Sequence, residues 1–263
     1  MPTVSFNTRE VMSLLGGKYT LAELGDRIPM LGVGLERIDA ETMEVEVFPN
    51  RPDMLSVEGF VRAFKGFVGY ESGAVNYKVQ PSGVSVLVDS SVDGIRPFIA
   101  AGIVEGVKIS GEHLKSIMNV QEKLHTTHGR NRVKVAIGIH DLACVKPPFT
   151  YKAVAPDGVS FVPLDMSESM TPARILRSHP KGRDYAFTLE GFDRYPVIVD
   201  SVGQVLSFPP IINGELTRVT EDSKNLLIEV TGTSQLAVDQ ALNIVATTLV
   251  DQGGKIKFVE IRY

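Results

Sequence analysis

Residues 205–233 read VLSFPPIINGELTRVTEDSKNLLIEVTGT. Two short apolar runs, VLSF (205–208) and LLIEV (226–230), flank a polar segment. Apolar runs of this length bounded by turn residues read as strands. The polar segment opens on Pro209-Pro210, passes through Asn213-Gly214 and continues with alternating hydroxyls and charges. A link between two strands needs far fewer residues. Yet Ser207, Asn213, Glu215, Thr217, Thr220, Glu229, Thr231 and Thr233 all crowd into this stretch. Two readings stand side by side. One is an ordinary polar hairpin region, since Thr is a normal strand residue. The other is a pocket for a largely apolar ligand with one polar tip, with hydrogen-bonding side chains set in an apolar frame.

Working outward, PVIVDSVGQVLSF reads as a hairpin turning at Asp200 to Gly203. Further strands are VSVLVD, FIAAGIVEGVKI, VKVAIGIH, FTYKAV and a final KIKFVEIRY. Helices interrupt them near 111–125, 171–178 and 234–251. Thr171-Pro172 places proline at a helix start. Thr233 reads as the cap of the last helix, and Gly253-Gly254 as its stop. Toward the N-terminus the chain opens with a helix: Asn7 with Glu10 resembles a capping box, and Gly16-Gly17 end it. Thr20 and Glu23 repeat the start pattern. TMEVEVF alternates as a half-buried strand, NRPD turns, and Ser56 caps a helix with Val57, Phe60, Val61, Phe64, Phe67 and Val68 on one face. YESGAVNYKVQPSG (70–83) is polar and rich in Gly, Pro and Ser. The expected organisation is therefore α+β: a small α+β domain over 1–69, a linker over 70–83, and a larger mixed-sheet α/β module over 84–263.

Length and composition narrow the function classes. The 263 residues are 43% hydrophobic, enough for a well-buried core. The formal charge is −4, so RNA contact must come from a local patch rather than an overall basic surface. A single cysteine, Cys144, allows no internal disulfide and fits a reducing, cytoplasmic location. No apolar run approaches the roughly 18 residues of a membrane span. The N-terminus lacks the basic-then-apolar plan of a signal peptide.

Several candidates carry chemistry. His125 and His128 form an i, i+3 pair that could bind zinc, but no third ligand is arranged with them, and a solvated helix end is the plainer reading. His140-Asp141 follows the strand VKVAIGI and reads as a strand-end turn rather than a catalytic dyad. Cys144 has no evident base and reads as a small buried residue. The stretch 113–134 carries the densest positive cluster: His113, Lys115, Lys123, Arg130, Arg132 and Lys134. Such runs are commonly solvated faces; their functional reading is contact with RNA phosphates, for which Arg130 and Lys134 are the candidates.

Three stretches together resemble one family: VFPNRPDMLSVEGFVRA (47–63), QEKLHTTHGRNRVKVAIGIHDL (121–142) with PPFTY (147–151), and YPVIVDSVGQVLSFPPIINGELTRVTEDSKNLLIEVTGT (195–233). They look like the beta subunit of phenylalanyl-tRNA synthetase, archaeal/eukaryotic type. The resemblance covers the whole chain but only the N-terminal part of the family's beta subunit, which implies a fragment ending at Tyr263. It implies an editing module that hydrolyses tRNA for phenylalanine mischarged with tyrosine, with an oriented water and no cofactor. The implied partners are that tRNA and the synthetase alpha subunit, with no membrane and no DNA. The implied catalytic residues are Glu229, Thr231 and Ser207. Gln121, Arg132, Asn213 and Thr233 would bind substrate, and Ile198 or Val199 would supply an apolar wall. The resemblance leaves open whether Glu229 binds the phenol, the amine or the water. A module that only docks RNA is the competing expectation.

Overall fold

The computed structural model describes residues 2–263. Its first element is a strand, β1 (Thr3–Asn7), rather than the expected helix. Val4 and Phe6 are buried while Ser5 and Asn7 are exposed, the two-residue period of a half-buried strand. The helix follows at once as α1 (Thr8–Leu14), where the Asn7 side chain accepts from the N–H groups of Arg9 and Glu10. Thr20 and Glu23 do form a capping box, at the start of α2 (Leu21–Arg27). Strands β2 (Gly34–Ile38) and β3 (Thr42–Glu46) join β1 in an antiparallel sheet of order β1-β3-β2. Ser56 Oγ accepts from the Gly59 N–H and opens α3 (Val57–Phe67), whose Phe60, Val61 and Phe64 are buried.

Residues 70–79 hold no helix or strand, and Gln80 opens β4 (Gln80–Val88). Then follow β5 (Phe98–Glu105), α4 (Gly111–Thr126), β6 (Val135–Asp141), β7 (Phe149–Val154), α5 (Pro172–Ser178) and α6 (Pro180–Tyr185). The rest is β8 (Tyr195–Val199), β9 (Val205–Phe208), β10 (Ile212–Asn213), β11 (Asn225–Gly232), α7 (Gln235–Asp251) and β12 (Lys255–Arg262). The cap of helix α7 lies one residue later than expected: Ser234 occupies the cap position, and Thr233 instead donates its N–H to the Lys134 carbonyl.

The larger sheet has nine strands in the order β10-β9-β8-β7-β4-β12-β5-β11-β6. Strand β4 runs parallel to both β7 and β12, so the sheet is mixed. Strands are spaced about 4.8 Å apart. Five strands separate β9 from β11, yet Ser207 Oγ lies 3.1 Å from Glu229 Oε1. The sheet therefore curls until its two ends face each other. Asn213 on the edge strand β10 donates to the Ile139 carbonyl of the opposite edge, β6, at 3.3 Å.

This curl explains the apolar character of NLLIEVTG. Leu226, Ile228 and Val230 pack with Ile137, Ile139, Ile117 and Val245 in a core shared with α4 and α7. Leu227 turns the other way, into a second core with Ile99, Ile103 and Tyr151. A strand buried on both faces has no room for polar alternation. The first core continues without a break into the N-terminal unit, through Val4, Phe60 and Phe64. Ser56 Oγ meets Thr248 Oγ1 of α7 at 3.2 Å, Gln252 donates to Glu58 at 2.6 Å, and Lys123 donates to the Thr3 carbonyl at 3.1 Å. Arg62 pairs with Asp251 across the same junction.

Candidate functional site

Where the two ends of the sheet meet, α4 roofs a cavity of about 510 Å³. Its walls are mostly apolar: Ile117 from α4, Ile137 and Ile139 from β6, and Phe208, Ile211 and Ile212 from the segment around the Pro209–Pro210 pair. The free edge of β6 faces this space, and side chains satisfy its backbone groups. Gln121 donates to the Ile137 carbonyl at 2.7 Å. The Ile137 N–H donates to His125 Nε2 at 2.8 Å. Unpaired edge groups would otherwise cost free energy in an enclosed site.

Glu229 reaches the cavity from β11, with only 4% of its surface exposed. Its ladder neighbours are Ala101 and Gly138, both small. A Cβ on Gly138 would sit 2.3 Å from Glu229 Oε1 and 2.7 Å from His140 Nε2, so glycine is what lets these groups approach. Ser207 donates to Oε1, while Oε2 has no partner. Behind Glu229 lies His140, with no exposed surface. Its Nδ1 is 2.8 Å from Thr217 Oγ1, and its Nε2 is 3.8 Å from Glu229 Oε1. The histidine expected in a strand-end turn thus lies within β6 and is fully buried beside Glu229. A glycine inside the strand AIGIH was the available sign of a close approach.

Arg132 belongs to the opposite wall. Residues 130, 131 and 132 all have left-handed backbone, with φ of 49°, 53° and 67°. Such conformations cost side-chain-bearing residues about 1 kcal/mol or more each. The bend turns Arg132 inward, where it donates to the carbonyls of Pro210 (3.2 Å) and Ile211 (2.8 Å) and to Glu122 (3.3 Å). Its guanidinium lies 4.1 Å from the centre of the Tyr185 ring. Glu122 stands at the cavity rim. The His125 contact, together with the Arg132 and Lys181 cations, holds its carboxyl at about 2. Burial pushes the His125 imidazole down to about 4.

Arg96, which no sequence pattern marked, is 3% exposed and clamps two parts of the site together. Nε donates to Thr231 Oγ1 at 2.9 Å and Nη2 to the Thr231 carbonyl at 2.7 Å. Nη1 reaches the carbonyls of Arg132 and Val133, both at 3.1 Å. Burial lowers its guanidinium to about 10, which leaves it charged at neutral pH.

Of the residues expected in the site, Glu229, Gln121, Arg132 and Asn213 line the cavity, and Ser207 joins it through Glu229. Thr231 is fully buried beneath it, on Arg96. Ile198 is opposite Ser207 in the β8–β9 ladder and buried in the second core, and Val199 is buried in a third. Thr233 is exposed at the start of α7. Arg130 is exposed and Lys134 half-buried, on the outside of the bend that carries Arg132 inward. His128 Nε2 donates to the Ala237 carbonyl at 2.9 Å, so the two histidines of the pair serve separate backbone groups. Among the described residues no group of three or more His, Cys, Asp or Glu is placed to hold a metal. Cys144 is exposed, against the expectation of burial, because it ends the short helical turn that follows β6. No described helix is long and apolar enough to cross a membrane.

Comparison with known proteins identifies the family of this fold. Residues 107–247, which hold every cavity-lining side chain named above, match the B3/4 domain family. The phenylalanine–tRNA ligase beta subunit of Methanococcoides burtonii is 47% identical over 263 residues, all of this chain and 48% of that protein. The beta subunit of Archaeoglobus fulgidus is 48% identical, over all of this chain and 47% of that protein. The chain thus spans about half the length of these curated relatives. The crystal structure of an N-terminal fragment of the phenylalanyl-tRNA synthetase beta subunit from Pyrococcus horikoshii superposes with a TM-score of 0.94 at 38% identity, covering 100% of this chain and 77% of that one.

Proposed function

Because the chain belongs to the phenylalanine–tRNA ligase beta-subunit family, and within it to the N-terminal region bearing the B3/4 domain, we propose that its cavity is an editing site. Its substrate is tRNA for phenylalanine mischarged with tyrosine, and its reaction is hydrolysis of the aminoacyl ester. The observation that carries this reading is the unpartnered Oε2 of Glu229, a buried carboxyl in a cavity whose walls are mostly apolar. The volume of about 510 Å³ lies in the usual range of small-molecule sites. Tyrosine differs from phenylalanine by one hydroxyl, and an apolar synthetic pocket rejects a hydroxyl-bearing analogue only weakly, by about a hundredfold. A second site with a buried acceptor reverses the selection. The phenol donates to Glu229 Oε2, whereas phenylalanine leaves that oxygen unpaired at a cost of about 1–3 kcal/mol.

The charges are graded along the cavity in the same sense. Glu229 is buried, while the side chains of Glu122 and Lys181 at the rim are 46% and 40% exposed. The aromatic ring enters among Ile137, Ile139 and Phe208, and the ester and the tRNA end stay at the polar rim. An aminoacyl ester is already activated, so a water held in line at the rim suffices for hydrolysis without a covalent nucleophile. Arg130 and Lys134, outside the bend, contact RNA phosphate. The alpha subunit is the partner that charges the tRNA, and both act in the cytoplasm.

The test is deacylation of tRNA charged with labelled tyrosine or phenylalanine. In Glu229→Ala the rate on tyrosyl-tRNA falls about ten- to hundredfold, the equivalent of a charge-assisted hydrogen bond, and the already slow rate on phenylalanyl-tRNA changes little. An equal fall on both substrates transfers Glu229 from reading the phenol to orienting water. Full activity on both, in a folded variant, removes Glu229 from the site. Tight tRNA binding without any deacylation by the wild-type chain supports an RNA-docking module instead.

A further inference from the structure

We propose that His140 is a positioning residue for Glu229, holding its carboxyl in one orientation through a proton that lies between His140 Nε2 and Glu229 Oε1. The functional half of this proposal rests on the editing reading above; the structural half does not. His140 is completely buried and does not line the cavity, so it acts only through the residue in front of it.

The hydrogen-bond roles around the imidazole leave little choice. Thr217 Oγ1 donates to the Gly214 carbonyl at 3.3 Å, which commits its hydrogen. Were that hydrogen donated to Nδ1 instead, the ring's own hydrogen would sit on Nε2 facing Oε1; with it on Gly214, Thr217 accepts from His140 and the Nδ1 at 2.8 Å carries a hydrogen. In the neutral ring the other nitrogen, Nε2, is then a bare acceptor. It has no hydrogen-bond partner, and 3.8 Å away stands another acceptor, Oε1 of a carboxyl that is itself 4% exposed. Two lone pairs facing each other in a dry interior repel. One proton between them turns the contact into a charge-assisted hydrogen bond with a small closing movement.

Several features of the sequence serve this arrangement. Gly138 is the residue between the two side chains, and any Cβ there would strike both. Ser207 donates to the same Oε1 from the opposite side. Oε1 thus becomes the anchored oxygen, gripped by β9 and β6. Oε2, by elimination, is the oxygen presented to a ligand. Without His140 the carboxyl could rotate about its last bond and exchange the two oxygens. The other charged and titratable groups around the pair are few. Arg96, just before β5, donates to Thr231, two residues beyond Glu229, and Tyr151 of β7 donates to the Arg96 carbonyl at 2.8 Å. Arg132 and Glu122 lie on the opposite wall, and Asp141, next to His140, accepts from Ser223 at 2.5 Å. None of these reaches His140 Nε2, so Glu229 is the partner available to it.

The structural half is tested without substrate. The 263-residue chain is labelled with 15N-histidine, and His140→Gln identifies the His140 signals. In the wild type Nε2 is expected away from the shift of a free imine nitrogen. In Glu229→Met, an apolar change of similar length, it moves to that shift. Nε2 at the free-imine position in both proteins overturns the proposal. The functional half is read from the pH profile of tyrosyl-tRNA deacylation. His140→Phe lowers kcat by about tenfold or more, with KM little changed, and alters the profile, while His140→Gln, whose amide can still donate to Oε1, recovers much of the loss. A folded His140→Phe chain with the wild-type rate and profile also overturns it. If the wild-type chain shows no deacylation while the Nε2 shift behaves as expected, the editing reading fails and the His140–Glu229 contact stands.

Discussion

In the proposed editing site, the orientation of the Glu229 carboxyl depends on neighbours that are small on two sides and polar on a third. Gly138 is the most demanding of them. Adding a methyl group places it 2.3 Å from the Glu229 carboxyl and 2.7 Å from the imidazole. Gly138→Ala should therefore displace the Glu229 carboxyl, lower tyrosyl-tRNA deacylation at least about tenfold, and cost about 1–3 kcal/mol of overpacking. Deacylation kinetics and urea denaturation on the same sample check both. A variant with normal kinetics would show that Glu229 does not need its present orientation. His125 offers a second residue-scale outcome. Its folded value of about 4 lies below the ordinary 6.5, so between these limits the unfolded chain binds a proton that the folded chain excludes. Stability is then unaffected above pH 6.5 and falls as pH drops toward 4, by about 3 kcal/mol in total. Glu122 adds its own loss only below about pH 4.5, as its carboxylate protonates toward 2. His125→Gln keeps an acceptor for the Ile137 N–H and should remove the slope between pH 6.5 and 4.5. Urea midpoints measured across that window decide it.

At the scale of elements, the site depends on how strand ends are held. The left-handed run 130–132 is an unfavourable conformation for two arginines and an asparagine. It persists because the Gly129 carbonyl accepts from Lys134, the Thr127 carbonyl accepts from Arg130, and Arg96 grips the carbonyls of Arg132 and Val133. The same guanidinium fixes the end of β11 at Thr231. Arg96→Met keeps the length of the side chain and removes the donors. Carbonyls left unpaired at about 1 kcal/mol or more apiece should lower stability by roughly 3 kcal/mol. Loosening of the bend should also weaken the inward hold of Arg132, seen as a rise in KM for mischarged tRNA. Arg130→Ala and Lys134→Ala, on the outer side of the bend, should instead weaken tRNA binding and flatten its salt dependence. An unchanged salt slope would place the RNA on another face.

For the whole molecule, the question is whether the N-terminal unit and the larger sheet are separable. The boundary we propose lies in residues 70–79, which carry no regular element, while β4 is already under way by Gln80. Limited proteolysis should cut there first, since the stretch holds exposed Glu71, Ser72, Gly73 and Val75. The two products should nonetheless remain together on a sizing column. Their contact is a continuous hydrophobic core with a buried Ser56–Thr248 contact and the Arg62–Asp251 ion pair, not a polar seam. First cleavage within 84–263, or immediate separation of the products, would contradict this picture.

Much of the architecture was legible in residue patterns alone. Caps at Asn7, Thr20, Ser56 and Thr171 marked helix starts, because a side chain that bonds a free N–H acts within a few residues of itself. The β8–β9 hairpin was readable for the same reason: its register is set by the local turn. The family was legible from three long motifs, and with it the expectation that Ser207 and Glu229 belong to one site. The sequence could not show that β9 and β11, with five strands between them, bring Ser207 and Glu229 into contact. Nor could it show that the arginines of one basic run divide, Arg132 inward and Arg130 outward. For His140 the sequence offered only Gly138 as a sign of close approach, without naming Glu229 as the partner, and nothing marked Arg96 as the tie between the end of β11 and the 132–133 bend. Each of these depends on the curl of a nine-stranded sheet. Curvature arises from the twist and packing of all the strands at once, so no single stretch of chain encodes it.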